Sequence, residues 1–521
     1  MSYKCKFSLL FLLPVGLFAQ QKDTLALRFA QQISSAVLKK HLEVLASDAY
    51  EGRETGRKGQ KMAADYIKAE FRRLNLKPGN DTSFLQSYPL VVRKPGNITL
   101  SIAGSPYVYR KDFYTSRVPD FHDQTYETGE LYFLGYGIND SASAFNDYQK
   151  TSDLKGKTIV VFKGEPVRKD GKYLLSGTDK PGDWTESIFN KLNAARKAGV
   201  KTMLIVSAED PSSARFNGKG GGERMQLPIE HSDPNELVVL YVSAEMGNRI
   251  MGTDLSSLLK KRGIKRTNKP YVHKALLKLQ IQRDDPGYSG ENVIGILEGT
   301  TKKKEYLFIT AHYDHLGIIN GEVYNGADDD GSGTVTVLNL ARAFVKARES
   351  GHGPERSIVF MTFSGEEKGL LGSEWFVDHP CIALENIVCD LNIDMIGRVD
   401  DAHIQDPAYV YVIGSDKLSS RLHAINENAN ATYSHLKLDY TYNDVNDPNR
   451  FYYRSDHYNF AKNNIPVIFY FNGTHADYHK ETDEIQKINF ELMEQRARLV
   501  FFTAWELVHM PERITVDSHK K

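Results

Sequence analysis

Three short apolar runs, each followed at once by acidic or imidazole side chains, constrain the fold of this chain most. The runs and the polar residues after them are 306–311 (YLFITA) with His312 and Asp314, 357–363 (SIVFMTF) with Glu366 and Glu367, and 386–393 (NIVCDLNI) with Asp394. Continuous apolar runs of this length are typical of strands that are buried on both faces of a sheet. We therefore expect three core strands that carry polar groups at their carboxyl ends.

A helix is expected between the first two runs. Leu338, Ala341 and Val345 have the spacing of one helix face, and the pattern begins just after the segment 331–333 (GSG). Strands that alternate with helices favour a mostly parallel sheet, in which ligands bind outside the carboxyl ends of the strands. The sequence thus predicts an α/β fold with a mostly parallel central sheet flanked by helices, and its polar residues are expected to meet at one rim.

The residue types at this rim suit zinc. Zinc binds imidazole nitrogen and carboxylate oxygen, and a pair of metals about 3.5 to 4 Å apart can share a carboxylate and a bridging hydroxide. Two imidazoles and three carboxylates suffice for such a pair, while one further carboxylate must stay off the metals to move a proton. The adjacent Glu366 and Glu367 fit that division, because neighbouring residues that leave a strand point in different directions.

The segment from His312 to His479 resembles the co-catalytic di-zinc aminopeptidase family, which also contains aminopeptidase Y and the glutamate carboxypeptidases. The motifs that carry the resemblance are 311–315 (AHYDH), 326–333 (GADDDGSG), 364–367 (SGEE), 392–394 (NID) and 478–479 (YH). The N-terminal stretch 45–53 (LASDAYEGR) resembles the same family. The family has a zinc exopeptidase fold and two zinc ions.

The resemblance implies a role for each motif residue. His312 and Asp394 would bind one zinc, Glu367 and His479 would bind the other, and Asp329 would lie between them. Glu366 would be the general base. Asp314 would orient the ring of His312, and Tyr478 would stabilise the oxyanion. It also implies a cis peptide bond between Asp329 and Asp330.

Simpler interpretations exist for single residues. The segment 328–331 (DDDG) alone would be a turn, and it lacks the alternate spacing of a calcium loop. His457 resembles a histidine near the substrate in the family, but a packed loop histidine explains it equally well. Asp483 would either orient His479 or cap the following helix. The conjunction of five motifs in the family's order outweighs these readings for the set as a whole.

The first 19 residues have the composition of a secretory signal. Lys4 and Lys6 precede an apolar run, 7–18, that is too short for a comfortable membrane span, and polar residues follow Ala19. We expect export to the periplasm or the extracellular space and no membrane association of the mature chain. Cys381 and Cys389 would then remain, either as one disulfide or as free thiols.

The length of 521 residues exceeds one ordinary domain. Between about 111 and 288, the phrases 135–137 (GYG), 154–157 (LKGK) and 195–200 (ARKAGV) resemble the protease-associated domain that many members of the family carry as an insertion. The alternative is another small β-rich domain. We therefore expect a signal peptide at 1–19, a discontinuous zinc peptidase domain at 20–112 and 286–521, and an inserted domain at 113–285.

The expected activity is hydrolysis of N-terminal residues from peptides through a metal-bridging hydroxide. A carboxypeptidase or dipeptidase with the same site stays open, since Arg398 and Arg454 are candidates to hold a free carboxylate. A non-catalytic binding protein is the third hypothesis, although every expected position holds a competent residue. Lysine plus arginine and aspartate plus glutamate number 66 each, which predicts no nucleic-acid partner. The sequence leaves the oligomeric state open.

Overall fold

The computed structural model describes residues 22–115, 124–151, 153–207, 224–228, 236–262, 269–284 and 286–518. The predicted signal peptide, 1–19, lies outside these residues. The chain divides into two compact units, Met1–Tyr88 with Ser289–Lys521, and Pro89–Tyr288.

The first unit has a central sheet whose strand order follows from the pairing registers. From one edge to the other, its strands are Lys77–Pro78, Gly287–Leu297, Arg356–Phe363, Lys302–His312, Ile387–Ile393, Val467–Phe471, Tyr409–Ile413 and Lys437–Asp439. The four central strands, from Arg356–Phe363 to Val467–Phe471, are mutually parallel. A separate hairpin pairs Gly317–Ile319 with Glu322–Tyr324.

Helices cover both faces of this sheet. The α-helices are Thr24–Ala30, Ser35–Leu45, Lys58–Arg73, Gly333–Glu349, Leu371–Asp378, Ser420–Ala429, His457–Ala461 and Phe490–His509. Alternate strand residues face opposite sides: Leu307 and Ile309 belong to the core beneath Gly333–Glu349 and Phe490–His509, whereas Phe308 belongs to the core on the other face. The fold is therefore the three-layered α/β arrangement that the sequence predicts, with additional antiparallel pairings toward both edges.

The second unit also contains a mixed sheet. In order, its strands are Phe113–Tyr114, Val238–Ser243, Thr202–Ser207, Thr158–Phe162, Gln124–Phe133, Tyr271–Asp284, Leu85–Ile102 and Ser105–Val108, with Arg224–Gln226 pairing at one end of Leu85–Ile102. A hairpin pairs Asn139–Asp140 with Phe145–Asn146, and the α-helices are Asp183–Glu186, Ile188–Lys197, Ala244–Met251 and Leu255–Arg262. The unit begins at Pro89 rather than at 113, because the long strand Leu85–Ile102 pairs with Tyr271–Asp284.

The structure also shows the state of the two cysteines and the character of the helices. Cys381 and Cys389 are both free thiols, and Cys389 is buried in the strand Ile387–Ile393. Within the described ranges, no helix has the length and apolar character needed to cross a bilayer.

Candidate metal centre

The polar residues after the four parallel strands lie in one cluster at the carboxyl rim of the sheet. His312 ends Lys302–His312, Glu366 and Glu367 follow Arg356–Phe363, Asp394 follows Ile387–Ile393, Tyr478 and His479 come after Val467–Phe471, and Asp329 lies in the helical turn Ala327–Ser332. The parallel direction of these strands brings segments that are distant in sequence to the same edge. The peptide bond between Asp329 and Asp330 is cis, the isomer that the resemblance implies.

One group of donors surrounds His312. Its Nε2 atom lies 3.3 Å from Asp329 Oδ1 and 3.6 Å from Asp394 Oδ1, and all three residues are buried. The other ring nitrogen, Nδ1, lies 3.1 Å from the carbonyl oxygen of Asp314 and 3.7 Å from its Oδ1. Asp314 is itself fixed, because its Oδ2 accepts a 2.6 Å hydrogen bond from the Thr55 hydroxyl group. The His312 ring is thereby held with Nε2 toward the two carboxylates.

A second group shares Asp329. The Nε2 atom of His479 lies 3.1 Å from Asp329 Oδ2 and 3.3 Å from Glu367 Oε2. Asp329 therefore presents one oxygen to each imidazole, the arrangement of a carboxylate between two metals. Burial and the charge of Asp329 raise the pKa of Glu367, but the nearby imidazoles of His315 and His479 outweigh them and lower it to about 2.

Glu366 stands apart from both groups. Its Oε2 atom lies 3.9 Å from His312 Nε2, and its backbone N–H donates to Asp314 Oδ1 at 3.3 Å. Burial, together with the negative charges of Glu367 and Asp394, raises the pKa of Glu366 well above the ordinary glutamate value. A carboxyl group of this kind holds a proton more readily than an exposed glutamate does.

The composition of the cluster fits divalent zinc. Asp329, Glu366, Glu367 and Asp394 are carboxylates crowded with three imidazoles, and charges buried in this way need compensating partners. Among the described residues, His312 Nε2 has no hydrogen-bond partner. Two donor sets have the proximity that metal binding requires: His312 with Asp329 and Asp394, and His315 with Asp329 and Glu367. Nitrogen and oxygen donors are those that zinc takes.

A narrow cavity opens onto the cluster. The residues around it are Asp329, Glu366, Asp394, Met395, Phe451, Arg454, Phe469, Phe471, Thr474, Tyr478 and His479. Arg454 Nη2 donates a 3.1 Å hydrogen bond to the Tyr478 hydroxyl group, and its guanidinium carbon lies 4.7 Å from the centre of the Phe451 ring. Arg398, the other arginine singled out in the sequence, does not line this cavity and pairs instead with Asp477 at 2.9 Å. The cavity thus combines an acidic end, an aromatic wall and one arginine.

The structure corrects the expectation for Asp483. This buried carboxylate accepts hydrogen bonds from the backbone N–H groups of Asp328 and Asp329, at 3.0 and 3.1 Å. It therefore supports the backbone under the shared aspartate, and it neither orients His479 nor caps a helix.

Two further residues near the rim have contacts that are directed away from the cavity. Asp330 accepts from the N–H groups of His312, Gly333 and Met395, so its carboxylate faces the backbone rather than the cavity. His457 is fully buried and stacks on Phe469 with ring centres 4.7 Å apart. The packed interpretation accounts for its surroundings.

Sequence reasoning gave no role to two residues that the structure places at the rim. Arg53 is buried, and its guanidinium donates to the carbonyl oxygens of Leu45, Tyr313, Asn325 and Gly326. His315 is fully buried, and its Nδ1 lies 2.8 Å from Glu367 Oε1. Both residues belong to motifs that resemble the family: Arg53 ends the stretch 45–53, and His315 is the second histidine of 311–315. Their roles could not be read from these motifs, because the groups that they contact lie in other segments.

Comparison with known proteins agrees with this geometry. Residues 292–504 match the model of peptidase family M28. The matched segment is therefore similar to the peptidases of family M28. All the residues of the two donor groups fall within this segment.

Individual relatives are more distant. This chain is 28% identical to leucine aminopeptidase 1 of Penicillium rubens over 42% of its own length and 57% of the relative. It is 27% identical to aminopeptidase YwaD of Bacillus subtilis over 52% and 44% of the two chains. A glutamate carboxypeptidase 2 homolog of Caenorhabditis briggsae is 24% identical over 73% of this chain and 54% of that protein. The chain spans about half the length of the curated relatives it matches.

Among solved structures, the aminopeptidase from Aneurinibacillus sp. strain AM-1 aligns over 95% of this chain and 97% of that chain, with a TM-score of 0.48 and 18% identity.

Proposed function

We propose that this chain is a zinc-dependent aminopeptidase that removes single N-terminal residues from peptides. The observation that carries the proposal is the placement of Asp329, which presents one carboxylate oxygen to His312 and the other to His479, while Glu366 belongs to neither donor group. The match of residues 292–504 to the M28 model and the names of the two aminopeptidase relatives support the same conclusion.

Five residues would hold two zinc ions. His312 and Asp394 would bind one ion, Glu367 and His479 the other, and Asp329 both. Bound zinc would polarise the scissile carbonyl group and lower the pKa of water from about 15.7 to about 7. Asp314 would hold the His312 ring through the contacts to Nδ1.

Glu366 would move the proton. Its carboxylate stands beside the donor groups, and its raised pKa suits a residue that takes a proton from water and returns it to the leaving amine. The Tyr478 hydroxyl group would donate to the carbonyl oxygen as negative charge develops there. Its own oxygen already accepts from Arg454, which leaves the phenolic hydrogen free to turn toward the substrate.

The cavity suits a substrate with a free N-terminus. Glu366 and Asp394 form its acidic end, where a charged α-amino group would be stabilised, and Phe451, Phe469 and Phe471 supply an apolar wall for the first side chain. The proposed substrate class is therefore peptides with an unblocked, apolar first residue.

A carboxypeptidase or dipeptidase is the second candidate, and Arg454 is the observation that favours it. Its guanidinium lies at the cavity beside Tyr478, where it can bind a free carboxylate. One of the relatives is named as a glutamate carboxypeptidase 2 homolog. The third hypothesis, a non-catalytic binding protein, has less support because all five proposed ligands and the base are present.

A peptide panel separates these candidates. The purified chain would be incubated with one apolar peptide in free, N-acetylated and C-amidated forms, and the products read by mass spectrometry. We expect release of the first residue from the free and amidated forms and no cleavage of the acetylated form. Cleavage of the acetylated form with failure on the amidated form would favour a carboxypeptidase. No cleavage of any form by zinc-loaded protein would favour the binding protein.

We also propose that the chain is exported and that the unit Pro89–Tyr288 is a protease-associated domain. The support is the signal-like composition of residues 1–19 and the three resembling phrases of the insertion. Expression with the native N-terminus, followed by N-terminal sequencing of the exported protein, would find a start at residue 20. An uncleaved chain retained in the cytoplasm would contradict export.

A further inference from the structure

Thr55 comes from a part of the chain that is far in sequence from the donor groups. It precedes the helix Lys58–Arg73 and stands outside residues 292–504, the segment that matches the M28 model. Its side chain is fully buried. The preceding residue, Glu54, forms a parallel β-bridge with His315, which ends the motif 311–315. Backbone pairing therefore brings Thr55 to the carboxyl rim of the sheet.

The Thr55 hydroxyl group makes hydrogen bonds to two other segments. It donates to Asp314 Oδ2 at 2.6 Å and accepts from the backbone N–H group of Gly365 at 3.0 Å. All three residues are buried. A hydroxyl group has a single hydrogen, so the bond to Asp314 uses its donor and the bond from Gly365 uses an acceptor lone pair. Thr55 thus connects the end of one central strand with the turn that follows another.

The turn that begins at Gly365 carries Glu366 and is held at successive backbone groups. The N–H group of Glu366 donates to Asp314 Oδ1 at 3.3 Å, and the Gly365 carbonyl oxygen accepts from the Leu371 N–H group at 2.8 Å. A Cβ atom on Gly365 would lie 3.0 Å from that of Leu371, so the turn has little room to shift. The side-chain oxygens of Thr55 and Asp314 therefore accept two consecutive N–H groups at the base of Glu366.

We propose that Thr55 is a positioning residue that fixes the Glu366 turn relative to the imidazole of His312. On one side its hydroxyl group holds Asp314, whose carbonyl oxygen and Oδ1 lie 3.1 and 3.7 Å from His312 Nδ1. On the other side it holds the N–H group directly before Glu366. Thr55 itself does not line the cavity, so it acts only through these residues. The roles of Glu366 and His312 rest on the proposed function, whereas the hydrogen bonds do not.

Two substitutions separate the hydroxyl group from the rest of the side chain. Thr55→Val removes the hydroxyl group and keeps the branched shape, whereas Thr55→Ser keeps the hydroxyl group and removes the methyl group. Thr503→Val is the matched control, because Thr503 is also fully buried. Its hydroxyl group donates to Asn426 Oδ1 and to the Leu499 carbonyl oxygen, both at 3.1 Å, and neither partner belongs to the rim.

Two measurements apply to each zinc-loaded variant: steady-state kinetics on a free apolar peptide, and hydrogen–deuterium exchange of the backbone amides in 364–367. Supporting residues of this kind change activity by about 10- to 100-fold when they are removed. We expect Thr55→Val to lower kcat by that factor with KM near the parent value, because the residues that line the cavity are unchanged. Its amides in 364–367 should exchange about fivefold faster, since the Gly365 N–H group loses its acceptor. Thr55→Ser should recover most of both losses, and the control should match the parent.

Three results would overturn the inference. Parent-like kcat or parent-like exchange in Thr55→Val would remove the role of the hydroxyl group. Equal losses in Thr55→Val and Thr55→Ser would assign the effect to packing. A loss as large in Thr503→Val would show a general effect of removing a buried hydroxyl group. A parent chain without turnover would instead contradict the proposed function, and the amide exchange would then still decide whether Thr55 holds the turn.

Discussion

The hydroxyl group of Tyr478 is placed by two contacts. It accepts from Arg454, and the Tyr478 ring stacks on that of His479 with centres 3.9 Å apart. Because removal of one oxyanion donor costs about 10² to 10³ in kcat, we predict a fall of that size for Tyr478→Phe with zinc content unchanged. Steady-state kinetics and metal analysis would measure both, with Tyr453→Phe as control, because the Tyr453 side chain is exposed and does not line the cavity. An unaltered kcat would remove Tyr478 from the mechanism.

At this scale the sequence predicted the residues that sit directly at strand ends. His312, Glu367 and Asp394 could be placed near strand ends because an apolar run precedes each of them, and the resemblance supplied their expected roles. Asp483 could not be assigned, because hydrogen bonds from the backbone of another segment define its role. Short-range patterns carry no information about such partners.

At the scale of elements, Arg53 connects the end of the helix Ser35–Leu45 to the segments at the carboxyl rim of the sheet. Its guanidinium joins carbonyl oxygens from Leu45, Tyr313, Asn325 and Gly326 at 2.7 to 2.9 Å, and it is buried. An unpaired buried acceptor costs about 1 to 3 kcal/mol, so we predict that Arg53→Met lowers the free energy of unfolding by about 3 kcal/mol or more.

Chemical denaturation would measure this loss. Arg57→Met is the control, because Arg57 is largely exposed and its ion pair with Glu54 is 3.9 Å long, so its change should stay within about 0.5 kcal/mol. Equal stability of the two variants would contradict the role of Arg53.

The elements themselves were predictable to different degrees. The core strands and the helix Gly333–Glu349 agree with the sequence, because buried strands and helix faces leave strong apolar patterns. The strand Gln124–Phe133 was less predictable, since its register is set by pairing with Tyr271–Asp284, far along the chain. The loop that holds Tyr478 and His479 has no periodic pattern and was recognised only through resemblance.

For the molecule as a whole, the sequence predicts an inserted domain at 113–285, and the second compact unit of the structure spans Pro89–Tyr288. The strand Leu85–Ile102 begins in the first unit and continues into the second, so no change of composition marks the boundary at Pro89. The second unit is defined by strand pairing between residues that are far apart in the sequence, and local sequence patterns do not show this pairing.

The second unit should show a pH-dependent stability. Burial lowers the pKa of Lys191, whose Nζ donates to the Tyr136 carbonyl oxygen, to about 7. Between pH 7 and about 10.5 the unfolded chain binds the extra proton, so stability rises with pH, by at most about 1.4 kcal/mol per unit. Denaturation of the parent and Lys191→Met at pH 7 and 9.5 should show a smaller gain in the variant. Equal gains would place the Lys191 pKa near its ordinary value.

The most direct test of the account measures zinc content and turnover together in Glu366→Gln and Glu367→Ala. These adjacent residues have opposite expected roles, and glutamine keeps the shape of glutamate but cannot accept a proton. We predict that Glu366→Gln retains two zinc ions per chain and loses turnover, whereas Glu367→Ala loses zinc as well as turnover. Loss of zinc from Glu366→Gln, or full zinc content in Glu367→Ala, would contradict the assignment of base and ligand.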